Sequence, residues 1–563
     1  MSFEHAFVEQ AEYLEIETFS SWHTSHPDED AILRKLCHGG AKLISGPRGC
    51  GKTTLLLQAY NQMIDDPAAA FPIYVNYKRS LSLEPLYKSN EEGTFWFNQW
   101  VIVKIYQGIY ESLGGSSDEY SLAIDKDKAI QLASMLEMSR VDSNFEPVLS
   151  IALLESDIQE ILNKTARQRC VILLDDAAHA FSPDQQRDFF DFFRQVKSKT
   201  ISPKAAIYPG VTNYSPSFHI GHDAELVDVL IKPDSSEYLG FMKSILDARF
   251  VGNIQESIIF NVASIDLLCY ASFGIPRALL NMLQTLIESD YDDDGNVSLG
   301  IDLSKAAVIK AIKQHYQNTK KNFSSLSIKL PVYKKFIETG DDIMRNSILI
   351  IKEYNRNKAI EKQSVSIAIA ESELSPELLR VFSFLQYAGL CIPRDATSSR
   401  GEKGKFQIYV MHYSGLIDGN ALMAARSISI QNYVDAFSTR DTHEYTRTKA
   451  GPLFPNADHA DAFALSLPPC SVCNTPRAFE EAKFCMRCGS PLSTPSTYQD
   501  LLGRDIHDLP LTASRVKKIK ESSSIRKVRD VLLDHEHVEL LKVDRVGPFW
   551  AAKIVRLAEE FVE

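Results

Sequence analysis

The chain has 563 residues, with 61 lysines and arginines against 73 aspartates and glutamates, a net charge of −12. That length exceeds one core and predicts about three to five domains, while 44% apolar residues and mixed charge exclude a disordered or fibrous chain. The acidic start MSFEHAFVEQAEYLEIE lacks the regions of a signal peptide, and no apolar run approaches the roughly 20 residues of a membrane span, so the expected address is the cytoplasm with no membrane partner.

The first 232 residues alternate short apolar runs (AKLIS, PIYVNY, CVILLDD, KAAIYPGVT) with helical stretches, which predicts an α/β unit with a mostly parallel, buried sheet. Directly after AKLIS comes Gly46-Pro47-Arg48-Gly49-Cys50-Gly51-Lys52-Thr53-Thr54, which fits G-x-x-x-x-G-K-[ST] and opens the helical run TTLLLQAYNQM. Glycines there let backbone N–H groups turn inward around phosphates, and the helix N-terminus adds its positive end. Lys52 is expected on the β- and γ-phosphates of ATP and Thr53 on Mg2+. About 120 residues on, CVILLDD ends in Asp175 and Asp176. An apolar strand closing on paired carboxylates is the second half of such a site. Asp175 is expected to hold Mg2+ and Asp176 to polarise the attacking water.

Residues 233–318 read as helical, with SEYLGFMKSILDARF and IPRALLNMLQTLIES at helical spacing. Asp290-x-Asp292-x-Asp294-Gly295 opens like a calcium loop, but position twelve is Ile301 instead of a bidentate Glu, so it reads as an acidic solvated turn. From 320 to 450 the helix SPELLRVFSFLQYAGL, the turn SSRGEKGK and the strand FQIYVMHY suggest a winged-helix-like domain whose tip carries Arg400, Lys403 and Lys405. Residues 451–468 are Pro- and Ala-rich, as linkers are.

Nine cysteines divide into five singles, Cys37, Cys50, Cys170, Cys269 and Cys391, and one cluster. The singles are expected as small buried side chains. The cluster, Cys470-x-x-Cys473 and Cys485-x-x-Cys488 with eleven residues between the pairs, matches four thiolate ligands of Zn2+ in a closed, structural site resembling a zinc ribbon at 469–493. The last segment, 500–563, is helical and carries Arg515, Lys517, Lys518, Lys520, Arg526, Lys527 and Arg529 close together. This is the local positive surface that the net charge hides, and it points to phosphate contacts. A protein-docking module is the alternative.

On these motifs the segment 30–290 resembles an AAA+ ATPase of the origin-recognition/initiator clade, with some likeness to bacterial STAND-type switch ATPases. The resemblance implies a P-loop AAA+ core (1–232) with a helical lid (233–318). It also implies further site residues. Asn213 in KAAIYPGVTNY takes the sensor 1 place, with Thr212 competing for it. Arg277 in Gly274-Ile275-Pro276-Arg277 takes sensor 2, reaching the γ-phosphate. The family's usual Glu is Asp176 here, a methylene shorter, which predicts hydrolysis below about 1 per second without a partner. The arginine finger is not evident; Arg187 and Arg194 are the candidates, and a finger from a neighbouring copy would make hydrolysis depend on homo-oligomer assembly. The stretch Leu541–Ile554 resembles a helix-hairpin-helix motif, and the region before it resembles the first hairpin of the carboxy-terminal domain of RNA polymerase α. That resemblance adds Arg545, Gly547 and Lys553 to the expected DNA contacts, with Arg545 where the common pattern has a glycine. The implied function is an ATP-controlled DNA-binding switch of replication, transposition or defence against mobile DNA. Its alternatives are a STAND-like signalling ATPase sensing a protein partner, or a helicase. No nuclease, polymerase or protease constellation is evident, so any such activity would need an effector chain.

Overall fold

The computed structural model describes residues 11–78, 80–89, 92–140, 148–177, 182–291, 297–398, 404–422, 428–438, 444–455, 458–477, 479, 482, 484–492 and 496–562. They fall into two compact units.

One unit comprises Asp30–Ser45, Lys52–Asp228 and Leu467–Glu563. Its centre is a five-stranded sheet of β1 (Lys42–Ser45), β2 (Phe71–Asn76), β3 (Cys170–Asp175), β4 (Ile201–Ile207) and β5 (Glu225–Asp228), in the order β2-β3-β4-β1-β5. All four pairings are parallel. Every residue of β3 and β4 is buried, as befits inner strands covered on both faces. The four apolar runs of the sequence thus form β1 to β4, and β5 is an added edge in which Val227 alone is buried. The order puts one strand, β4, between the strand leading to the P-loop and the strand ending in Asp175. Residues just beyond the end of β4 therefore lie beside both.

The helix Gly93–Leu113 packs on β2. It carries a large share of the core, including Trp100 and Tyr106, both fully buried. Gly108 makes the approach possible: a Cβ there would lie 2.5 Å from the Tyr74 carbonyl oxygen. After the sheet, a short helix, Thr497–Gly503, seats on the core. The Ser496 hydroxyl and the Tyr498 amide donate to the buried Glu84 carboxylate, at 3.0 and 2.8 Å.

The other unit comprises Met1–Glu29, Gly46–Gly51 and Val229–Ser466. Its helices include Tyr238–Arg249, Val262–Ala271 and Pro276–Gln284. The last ends sooner than the apolar spacing of IPRALLNMLQTLIES predicts. The chain turns at Thr285, whose hydroxyl donates to the Met282 carbonyl, and enters β6 (Ile287–Tyr291), paired antiparallel with β7 (Val297–Ile301). Of the acidic stretch, Asp290 belongs to β6, and residues 292–296 lie outside the described residues. The boundary expected at 318–320 is replaced by one helix, Lys305–Lys329, that runs through it; its buried stripe of Val308, Ile312, Tyr316, Phe323 and Leu326 is continuous across that point. Then come the helix Lys334–Asn355, β8 (Ser366–Ala370), the helix Pro376–Tyr387, and a hairpin of β9 (Cys391–Ser398) and β10 (Lys405–Met411). With β11 (Thr446–Thr448) they form a four-stranded sheet, β11-β8-β10-β9. Lys405 begins β10; Arg400 and Lys403 lie outside the described residues. No single helix among the described residues is long and apolar enough to cross a membrane.

Replacing Gly108 tests the helix-on-sheet contact. Alanine gains about 1 kcal/mol of helix propensity at an ordinary site. Here Gly108→Ala is expected to lower stability by roughly 1–3 kcal/mol, because its methyl meets backbone that cannot rotate away. Thermal unfolding followed by circular dichroism would show the lower Tm, and a raised Tm would refute the close approach.

Candidate functional site: a P-loop with an acidic strand end, and a four-cysteine cluster

Lys52 is the first residue of the helix Lys52–Asp65 and is buried. Thr53 and Thr54, half-buried, complete its first turn. The unsatisfied N–H groups of that turn carry positive partial charge, and Lys52 adds a full one. Its ammonium lies 3.7 Å from the centre of the Tyr208 ring, a cation–π contact. Tyr208 directly follows β4, and its hydroxyl donates to the Asp176 carboxylate at 2.7 Å. One tyrosine therefore touches both the expected phosphate-binding lysine and the expected catalytic acid.

Asp175, the buried last residue of β3, accepts from the Tyr74 hydroxyl at 2.9 Å and from the Asp176 amide at 3.0 Å. Asp176 leaves the strand with φ of 51°, a left-handed turn that aspartate tolerates better than most residues. This turn aims the two neighbouring carboxylates differently. The expected sensor 1 residues are held elsewhere. Thr212 closes its own turn, its hydroxyl donating to the Tyr208 carbonyl at 2.7 Å and accepting from the Tyr208 amide. Asn213 gives its backbone and side-chain N–H groups to Gln186, at 2.6 and 3.1 Å. The residue that reaches Lys52 and Asp176 is Tyr208, which sequence reasoning passed over because an aromatic after an apolar strand reads as core. Of the finger candidates, Arg187 pairs with Asp184 on its own helix at 3.2 Å and Arg194 is exposed.

Within the other unit, the loop Gly46–Gly51 packs on the start of the helix Pro276–Gln284. Gly49 has φ of +83°, and a Cβ on it would lie 2.9 Å from Arg277 Cβ and 3.2 Å from Ile275 Cγ2. Gly51 has φ of +98°. Pro47 and Cys50 are buried, and Arg48 is half-buried. Glycine at position 49 is thus needed twice, for backbone conformation and for the room that Ile275 and Arg277 occupy. Arg277, the residue expected to sense the γ-phosphate, thus lies against the loop Gly46–Gly51.

The four clustered cysteines bring their sulfurs within 4.8 Å of one another. Cys470 and Cys488 sulfurs are 3.6 Å apart, and Cys473 and Cys485 sulfurs 3.5 Å apart. Four thiolates about 2.3 Å from a tetrahedral zinc would stand about 3.8 Å apart, so the set fits that ion. Each Cys-x-x-Cys turn closes in the same way. The Asn474 amide donates to the Cys470 carbonyl and the Gly489 amide to the Cys485 carbonyl, each residue left-handed at φ of 55° and 72°. The Thr475 hydroxyl, 3.1 Å from the sulfur, draws the Cys473 thiol down to about 6, which favours the ligating thiolate. The single cysteines behave differently. Cys170, Cys269 and Cys391 are buried, and burial pushes their thiols up; Cys50 is buried too. Cys37 departs from expectation in being half-exposed, with its thiol pushed up to about 11.

In the tail, Arg545 adopts φ of 62° in the turn before the helix Pro548–Val562, so the backbone bends there without a glycine; Gly547 caps that helix through its carbonyl. The basic residues are not the free surface their spacing suggests. Lys518 pairs with Asp544 at 2.8 Å, Lys520 with Asp505 at 2.7 Å, Lys517 with Glu521 at 3.8 Å and Arg529 with Asp530 at 3.6 Å. Arg545 lies 3.8 Å from Asp544. The Arg515 guanidinium stacks 3.4 Å from the Trp550 ring centre, with Lys553 at 5.3 Å on the same ring. Arg526 donates to the Ser523 and Ile525 carbonyls. The Lys527 amide donates to Asp530. Residues 500–563 hold twelve lysines and arginines against twelve aspartates and glutamates.

No protein-family model and no curated protein matches this chain. Among solved structures, the chain is similar to the Orc1 protein of Aeropyrum pernix, solved in complex with DNA, with 15% identity over 71% of this chain and 93% of that one and a TM-score of 0.28. It is also similar to Cdc6p of Pyrobaculum aerophilum, with 13% identity over 75% of this chain and 98% of that one and a TM-score of 0.28.

The cysteine cluster yields a direct test. Metal analysis of the purified chain is expected to give one zinc ion per chain, and Cys485→Ser is expected to give none, since three thiolates and a serine hold zinc far less well. Iron instead of zinc, or no metal in the parent, would refute the closed zinc site.

Proposed function

We propose that this protein is an AAA+ switch ATPase of the initiator kind, which binds DNA under the control of ATP. The observation that carries this reading is the arrangement at the end of β3 and β4, where Tyr208 carries the Lys52 ammonium on its ring and holds Asp176 by its hydroxyl. A buried ammonium at a helix N-terminus favours an anion, and the loop before it supplies glycine-borne N–H groups. In this reading residues 46–54 cradle the triphosphate of ATP, Thr53 and Asp175 hold Mg2+, and Arg277 senses the γ-phosphate from its place beside Gly49. Mg2+ would neutralise charge on the β- and γ-phosphates. Asp176 orients the attacking water once Tyr208 releases it, and a carboxylate both short and engaged suits slow hydrolysis. The segment β8 to β10 serves as a winged-helix-like module, the cysteine cluster as a zinc ribbon, and the tail as a helix-hairpin-helix module.

One observation favours the second reading, a STAND-like signalling switch. The tail has no net charge and its first helix is seated on Glu84 of the sheet unit, which suits a docking module as well as a DNA grip.

ATP hydrolysis and binding by the full chain test the proposal. The parent is expected to bind ATP and turn it over below about 1 per second, and Lys52→Ala to lose binding by at least about tenfold. Tyr208→Phe keeps the ring under Lys52 and frees Asp176. It is expected to hold nucleotide affinity within about twofold while raising turnover by at least about threefold, since a carboxylate oxygen no longer engaged by the hydroxyl can accept from the attacking water. A parent without nucleotide affinity would end the proposal. A Tyr208→Phe chain with unchanged turnover would remove Tyr208 from it. Release of a fluorescent duplex as salt rises, seen with ATP present, separates the DNA reading from the signalling one.

A further inference from the structure

A second basic segment lies outside the tail. Residues 303–337 contain eight lysines, Lys305, Lys310, Lys313, Lys320, Lys321, Lys329, Lys334 and Lys335, and no aspartate or glutamate, in a protein of net charge −12. Most of this segment is the helix Lys305–Lys329. Its buried side is the stripe of Val308, Ala311, Ile312, Tyr316, Phe323 and Leu326. Opposite, at helical spacing, stand Lys310, Lys313, Gln314, Gln317 and Lys321. Lys310 and Lys321 are exposed and Lys313 is half-buried, and none of the three makes an ion pair or hydrogen bond among the described residues. The Gln314 amide donates to Asn318, and the Gln317 amide donates to Asp418 at 2.9 Å. Among the described residues, carboxylates near this helix include Asp418, Asp341 (which accepts from Ser324) and Asp302 (at the helix N-terminal end).

We propose that the Lys310–Lys313–Lys321 face of this helix grips the phosphate backbone of duplex DNA. The inference rests on the DNA reading above and moves the principal contact from the tail to this helix. Charge decides it. With screening over about 8–10 Å, a polyanion responds to the nearest charges and not to the chain total. The tail offers as many acids as bases, most of them paired, whereas this face offers three ammonium groups without an ion pair among the described residues. From Lys310 to Lys321 the stripe is roughly 16 Å long at 1.5 Å per residue, about half a turn of B-form duplex, so three ammonium groups can follow one strand. Such contacts position a duplex and carry no sequence preference.

The test uses the full chain with ATP and a fluorescent duplex of about two helical turns, titrated at several salt concentrations. Three neutralised phosphates give a slope of about −2.7 in log K against log salt, or about fortyfold in affinity between 50 and 200 mM. K310E/K313E/K321E is expected to bind at least about tenfold more weakly at low salt and to lose most of that slope. The milder K310Q/K313Q/K321Q variant is expected to do the same to a lesser degree, with ATP affinity and Tm unchanged in both as the check on folding. Triple variants that bind duplex like the parent, with the same slope, overturn the inference. So does a loss confined to R526E/K527E/R545E, which would return the grip to the tail and leave the DNA reading intact. A parent chain that ignores duplex with or without ATP sinks that reading itself.

Discussion

A cation buried at the start of a helix is the constraint on which the rest of this structure turns. Lys52 sits among partial positive charges of the same sign as its own, out of water. Isolated, that arrangement would be costly. It persists because the strand order brings β4 between β1 and β3, and the residue directly after β4 is a tyrosine. The ring face offers negative charge density to the ammonium, and the hydroxyl passes the contact to Asp176. The ring contact is weaker than an ion pair, so a bound anion outcompetes it.

The same interaction links the two side chains to which the proposed function gives separate roles. In that proposal, movement of Lys52 toward a phosphate would take it off the Tyr208 ring, and a tyrosine no longer weighted by that cation would be freer to release Asp176. Occupancy of the loop would thereby be coupled to the state of the acid, through one side chain of two rotatable bonds. A second coupling runs through the loop itself. Gly49 is filled on its open side by Ile275 and Arg277, so any change in loop conformation moves the start of the helix Pro276–Gln284. That helix is followed by the β6–β7 hairpin and then by the long lysine-bearing helix.

Much of this was legible in the residues, for reasons that can be stated. Inner parallel strands are buried on both faces and therefore appear as unbroken apolar runs, which is why β1 to β4 stand out. The P-loop and the cysteine pairs are legible because their chemistry fixes spacing: phosphates need a loop of set length, and zinc needs two sulfurs from each turn. What was illegible depends on tertiary partners. β5 has three exposed residues of four and becomes a strand only by pairing with β1. Helical spacing in IPRALLNMLQTLIES continues past the true helix end because Leu286 and Ile287 are apolar for a different reason, entry into a strand pair. Asn213 sits where a family pattern expects a sensor and donates to Gln186 on a helix distant in sequence, while Tyr208, five residues earlier, touches Lys52 and Asp176.

Charge shows the same division more sharply. Sequence spacing collects the tail's basic residues into an apparent patch, but folding pairs Lys518 with Asp544 and Lys520 with Asp505, acids remote in sequence from the lysines they meet. Exposed pairs of this kind contribute little to stability, but they cancel field, which is what a polyanion reads. A helix with no acid in its sequence cannot be neutralised from within, and its neighbours supply few carboxylates. Where a chain of net negative charge meets a phosphate backbone, the decisive quantity is therefore not the density of lysines along the sequence but the scarcity of carboxylates around them after folding. By that measure the helix Lys305–Lys329 is more basic than the tail.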